Sequence, residues 1–376
     1  MRVALRLGAF VPAFLLALAA CDVATNEAGP PNVLRIEPRP ALPDTAALPL
    51  ALPTGNLGLL TGNLPGFYME VERDTVSGLR EAGWEAGQYG LVRGPVVTDA
   101  GPRFTQLHEG LDIRPQFRDA QGEPLDTVRA ARRGAVVYVN QSVGSAFGRY
   151  VVLRHDWDGV PVYTLYAHLD SVGVREGQRV GRREPLGRLG YTGRGIWRAR
   201  AHVHFEVAML LNEHEKSWFD RYYGGRNDQH GLYFGTNLAG VDVPALFEAM
   251  AEDPSLSFRD FVKGQPAGYT VALPGDRPLD LLRRYPWLWE GETPPRADPP
   301  GAWLVTFTQE GVPIRIEHRR EPVARPEVVG VSREIERGRL GTNGVLAWTG
   351  DRYVLTGVGL RYLSLVATTA AGPAPW

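Results

Sequence analysis

Apolar and polar positions alternate with a period of two through the middle of the chain. Gly134-Ala-Val-Val-Tyr-Val139, Arg149-Tyr-Val-Val-Leu-Arg-His155 and Val160-Pro-Val-Tyr-Thr-Leu-Tyr-Ala167 read as strands. Asp156-Trp-Asp-Gly159 is a turn signal between the last two, so 149–167 is predicted to form a hairpin. Val180-Gly181 and Leu186-Gly-Arg-Leu-Gly190 bracket further short strands, and 201–209 alternates again. Helix signals are weak here, so 63–250 is expected to be a compact domain of mostly β (α+β) class. From 251 the pattern changes. Phe258-Arg-Asp-Phe-Val262 and Pro278–Arg284 suit short helices, and Pro294–Pro300 suits a linker. Trp303–Thr308, Ile314–Glu317, Gly344–Trp348 and Arg352–Thr356 look like strands. A smaller, β-rich C-terminal domain over 251–376 is expected. It carries no recognisable motif, and an envelope protein is an expected partner. Trp287, Leu288 and Trp289 are expected to pack a core or a domain joint.

The N-terminus adds an address. Arg2 and Arg6 precede an apolar run from Leu7 to Ala20, too short for a stable membrane span. It ends in Leu18-Ala-Ala-Cys21, which resembles the bacterial lipoprotein signal. The resemblance implies a signal peptide over 1–20, a lipidated Cys21 and a periplasm-facing anchor in the cell-envelope membrane. Residues 21–62 are rich in Pro and Ala and read as a tether. The alternative is packing on the domain through Leu48, Leu50, Leu52 and Leu59. The net charge of -1 gives no pull toward nucleic acid. The single cysteine excludes an internal disulfide and a multi-Cys metal site. Any metal must therefore sit on His, Asp or Glu.

Four of the chain's 8 histidines fall in three short motifs: His108-Glu-Gly-Leu-Asp112, His168 in Leu165-Tyr-Ala-His-Leu169, and His202-Val-His204. Residues two apart on a strand face the same way, so His202 and His204 share a face while Val203 and Phe205 face a core. Gly110 favours a turn into a strand, letting His108 and Asp112 converge. Two His and one Asp suit Zn²⁺ with a fourth position open, the mark of a catalytic site. A helical H-E-x-x-H reading fails, because position 112 is Asp and Gly110 weakens a helix. Glu109 is thereby set aside as a general base.

At these residues the sequence resembles the lysostaphin-like (LytM-type) zinc metallopeptidase family, whose pattern is H-x-G-x-D, then Y-x-H, then H-x-H-F-E. Glycine-rich turns at Gly173–Gly181 and Leu189–Gly193 match as well. The resemblance covers about residues 85 to 247 and implies the family's antiparallel β-sheet fold. It implies His108, Asp112 and His204 as zinc ligands. It implies His168 and His202 as the catalytic pair, with His202 the general base and His168 steadying an oxyanion or passing a proton to the leaving amine. The implied activity is zinc-dependent endopeptidase cleavage of peptidoglycan cross-link or stem peptides. Two other functions fit the family or the compartment: a non-catalytic regulator of wall amidases, and a protease acting on envelope proteins. Because all five motif residues are present, the enzyme is favoured.

One departure stands out. Val241-Asp-Val-Pro244 resembles the family's closing segment but comes late. The intervening 211–240 stretch is expected to form a loop beside the cleft, with His230 one of its residues able to approach it. Arg198 and Arg200 are candidates for binding wall-peptide carboxylates, or simply solvated charges. His155 is expected to be structural, and His214 and His318 exposed.

Overall fold

The computed structural model describes residues 48–70, 83–98, 101–291, 301–336 and 341–376. The signal peptide, Cys21 and the Pro294–Pro300 linker lie outside them.

The fold begins with two short helices, α1 (Gly58–Thr61) and α2 (Leu64–Phe67). A two-stranded ribbon follows, β1 (Gly90–Thr98) with β2 (Gly101–His108). Nine strands then form one antiparallel sheet: β3 (Leu111–Ile113), β4 (Thr127–Arg129), β5 (Gly134–Asn140), β6 (Arg149–Trp157), β7 (Val160–Val172), β8 (Arg179–Val180), β9 (Pro185–Leu189), β10 (Val203–Leu210) and β11 (Leu238–Gly240). The hairpin over 149–167 forms as predicted, as β6 and β7. Its turn needs positive φ at two positions, and Asp158 (55°) and Gly159 (79°) supply them.

One face of the sheet packs the main core through Val203, Phe205 and Val207 of β10, all fully buried. The other face carries the histidines at one end. At its other end Tyr150, Val152, Tyr163, Leu165 and Leu210 form a second apolar cluster.

The segment around Leu48–Leu64 corrects the expected tether. Leu48, Leu50, Leu52 and Leu59 are buried in the main core. The backbone also docks, with Ala51 N donating to Ala131 O at 2.8 Å and Arg129 N to Pro53 O at 2.7 Å. The apolar leucines carry more burial free energy than a free linker would forgo, so the packing alternative holds from Leu48 onward.

The C-terminal part builds its own four-stranded antiparallel sheet, in the order β14 (Pro313–Arg319), β13 (Ala302–Phe307), β12 (Tyr269–Pro274), β15 (Glu327–Val331). A hairpin, β16 (Leu346–Trp348) with β17 (Tyr353–Leu355), completes its strands. The remaining helices are α3 (Glu215–Tyr223), α4 (Val243–Glu252), α5 (Phe258–Lys263), α6 (Asp280–Arg284), α7 (Arg333–Glu336) and α8 (Gly357–Val366). The change at 250 is a change of sheet rather than of core, since one hydrophobic cluster runs from Leu48 to Ala374. Polar bonds stitch the two parts. Leu210 N donates to Tyr285 Oη at 2.9 Å, and Asn212 Nδ2 donates to the carbonyls of Leu365 and Thr368, each at 2.8 Å. Among the described residues, no helix is long and apolar enough to cross a membrane.

Candidate metal centre

Strand register assembles the site. On β10, His204 lies opposite Asp112 of β3 on one side and Ala167 of β7 on the other. His202 bridges to Gly190 just before the strand begins. His168 follows Ala167 at a bulge, where β7 spends an extra residue against β6 between Arg149 and Val151. Its φ of 61° lies in the left-handed region, and the bulge turns its side chain toward the histidines. The His168 and His202 rings lie 4.6 Å apart, edge to face.

Gly110 makes the close approach of β3 to β10 feasible. A Cβ there would sit 2.5 Å from Phe205 O and 3.1 Å from His204 Cε1. Gly193, at φ 108°, likewise clears the backbone beside His168 Nδ1.

Three donors then meet. His108 Nε2 and His204 Nδ1 are 3.0 Å apart, and each is 3.1 Å from Asp112 Oδ1. All three residues are buried. The far ring nitrogens are already engaged. His108 Nδ1 donates to Gln88 O at 2.7 Å, and His204 Nε2 donates to Glu206 Oε1 at 2.7 Å. These bonds set the tautomers, leaving a lone pair on each inward nitrogen. Three acceptors around one point could hold a metal ion. Zinc at about 2.0–2.2 Å from each donor implies tetrahedral edges of about 3.3–3.6 Å, close to the triangle observed.

The electrostatics agree. Burial pushes His108 down to about 4. Burial would also lower His204, but the Asp112 and Glu206 carboxylates outweigh it and lift its pKa to about 10. Burial disfavours the Asp112 anion too, yet His108, His202 and Arg93 together hold it well below the usual carboxylate range. The pocket thus demands positive charge beside two carboxylates, and the donor set fits zinc.

The other two histidines face the same centre with bare nitrogens. His202 Nδ1 donates to Arg200 O at 2.6 Å, leaving Nε2 3.4 Å from Asp112 Oδ1. His168 Nδ1 donates to Thr192 O at 2.8 Å. Burial, and then His202 and His204, hold His168 well below its ordinary value, so it is neutral.

All five motif residues therefore converge. Glu109 stays out of the donor triangle and lines a cavity against Glu310 and Tyr362 of the C-terminal part. The 211–240 stretch is not simply a loop. Residues 215–223 form α3, whose Trp218 Nε1 donates to Arg361 O of α8 at 2.9 Å, on the side of the C-terminal part. Only the part around 229–234 reaches the sheet face beside the histidines. His230 Nδ1 lies 2.9 Å from Tyr150 Oη, and its ring meets Phe147, which packs against His204. Arg198 pairs with Glu123 at 3.4 Å in solvent, and Arg200 stacks on Trp197. His155 is structural, spanning Arg133 O and Thr164 Oγ1 at 2.9 and 2.7 Å. His214 and His318 are half-buried rather than exposed. Residues that sequence reasoning missed are Gln88, Arg93 and the supporting role of Glu206. Only Glu206 had a visible signal, since i and i+2 on a strand share a face with His204.

Residues 106–217 match the profile of peptidase family M23. The cell division protein DipM of Caulobacter vibrioides (strain NA1000 / CB15N) is 32% identical over 126 residues, 33% of this chain and 19% of DipM. The chain thus spans about a fifth of the length of that curated relative. Among solved structures, the catalytic domain of the antimicrobial peptidase lysostaphin from Staphylococcus simulans is 25% identical, covering 32% of this chain and 76% of that one, with a TM-score of 0.23. A zinc containing peptidase from Vibrio cholerae is 26% identical, covering 38% of this chain and 36% of that one, with a TM-score of 0.24. Residues 106–217, which carry every donor of the site described above, are thus the part of the chain that is similar to peptidase family M23.

Proposed function

We propose that this chain is a zinc metalloendopeptidase that hydrolyses peptide bonds of cell-wall peptidoglycan, held in the envelope by a lipidated Cys21. The observation that carries the reading is the triangle of lone pairs on His108, Asp112 and His204, with two bare imidazole nitrogens beside it. The chemistry zinc supplies in such a site is polarisation of a carbonyl and activation of water. His202 Nε2 takes the proton of the attacking water. Asp112 Oδ1 lies 3.4 Å from that nitrogen. His168, neutral and bare at Nε2, accepts a hydrogen bond from that water and orients it. The oxyanion role expected for His168 would need a proton on Nε2, which its burial and neighbouring histidines disfavour. The rings of Phe147, Tyr150 and His230 pack on one another at one side of the centre, Phe147 against His204.

The match to a cell division protein favours a second reading, a division factor that acts on wall enzymes without cutting peptides itself. An intact set of five site residues argues for catalysis. The test is digestion of purified sacculi by residues 22–376 with zinc, a His204→Ala control and mass spectrometry of the products. New amine-ended peptides that vanish in the control are expected and would name the bond. One bound zinc without products would point to a protein substrate. Neither zinc nor products would leave the regulator. Anchoring is tested separately, by incorporation of labelled palmitate that a Cys21→Ser variant abolishes.

A further inference from the structure

We infer that Arg93 is a positioning residue for the metal centre, holding Asp112 to a single donor oxygen. The inference rests on the zinc reading above. Arg93 Nη2 lies 2.6 Å from Asp112 Oδ2, while Arg93 Nε donates to Ala86 O at 2.9 Å. The guanidinium is therefore fixed from two directions, which a point-charge ammonium would not reproduce. With Oδ2 taken, only Oδ1 faces His108, His204 and His202, at 3.1, 3.1 and 3.4 Å. A carboxylate released from this pair can offer both oxygens to one ion. That would fill the position a substrate carbonyl or water needs. Arg93 keeps the donor count at three and the fourth position open.

The placement is built in. Arg93 stands where the β1–β2 register shifts, between Leu91 and Arg93. The same ribbon ends in His108, so one element delivers a donor and restrains a second. From the C-terminal part, Asn343 Oδ1 accepts from Leu107 N at 3.2 Å and caps the ribbon beside that donor.

The test replaces zinc with cobalt in the mature chain and compares Arg93→Met with the unsubstituted protein. Four-coordinate cobalt absorbs strongly in the visible range, and five-coordinate cobalt weakly. The expected result is a several-fold fall in that absorption. Zinc should also be held about 10-fold less tightly against a chelator. Arg93→Leu, neutral and without a donor, is the second variant should Arg93→Met not fold, and the same spectral change is expected. A purely structural ion pair would lower only the thermal midpoint of the metal-free protein. An unchanged spectrum and affinity in either folded variant would overturn the assignment. Failure of the unsubstituted protein to bind cobalt would instead overturn the zinc reading, and this inference with it.

Discussion

A methyl group added at Gly110 would press on Phe205 O at 2.5 Å and on Glu206 Cγ at 2.9 Å. Both neighbours belong to β10, so the strand that carries His204 would have to move away from Asp112. Gly110→Ala is accordingly expected to lower stability by about 1–3 kcal/mol, the usual cost of overpacking. It should also reduce bound zinc well below one ion per chain, as measured by metal analysis after gel filtration. Full zinc occupancy in that variant would show that the approach of β3 to β10 is not what sets the triangle. Glu206 illustrates a second residue-scale rule. It is fully buried, yet Oε1 alone is bonded, to His204. Its value lies in fixing the His204 tautomer, because a ring held the other way would present a proton to the ion instead of a lone pair.

The β1–β2 ribbon ties the centre to the rest of the chain. Asn343 adopts φ 48°, a left-handed conformation that asparagine tolerates better than most residues, and spends its side chain on Leu107 N. Asn343→Ala loses both advantages and should destabilise by about 1–2 kcal/mol. Asn343→Gly keeps the backbone but not the bond. Amide exchange across 101–108 is expected to quicken in both variants, and unchanged exchange would show that the ribbon does not depend on this cap. Elements of this kind differ in how far sequence discloses them. The 149–167 hairpin was legible because Asp158-Gly159 can only turn one way. The donors were legible because His202 and His204 share a strand face and Gly110 breaks a helix. Helix α4 had a signal that went unread: Asp242 accepts from Ala245 N at 3.0 Å as its N-cap, Pro244 follows, and Val243, Leu246, Phe247 and Met250 recur at helical spacing. Arg93 had none, since its meeting with Asp112 depends on a ribbon folding back across 19 residues. The buried leucines at 48–59 misled because Pro and Ala composition says nothing about a surface elsewhere that accepts them.

At the scale of the molecule, buried titratable groups set the pH range of stability. His155 is neutral in the fold, its pKa pushed from 6.5 to about 4 chiefly by burial. The stability it contributes is complete above pH 6.5 and is lost as pH falls through about 4, up to about 3 kcal/mol in all. Glu215 runs the other way. Burial and Asp228 lift it from 4.5 to about 8, so its contribution is complete below pH 4.5 and is lost as pH rises through about 8. Urea midpoints should therefore improve at pH 8 in Glu215→Gln and be little changed at pH 4.5. An equal shift at both pH values would rule out titration as the cause. The shared core has a consequence of another kind, in time. Leu107 and the residue that caps it are 236 positions apart. A polypeptide made from its N-terminus presents His108, Asp112 and His204 before Asn343 has emerged. His108 waits at the end of an uncapped ribbon while the remainder of the chain arrives. The capped ribbon beside His108 is thus among the last parts of the fold to be completed during synthesis.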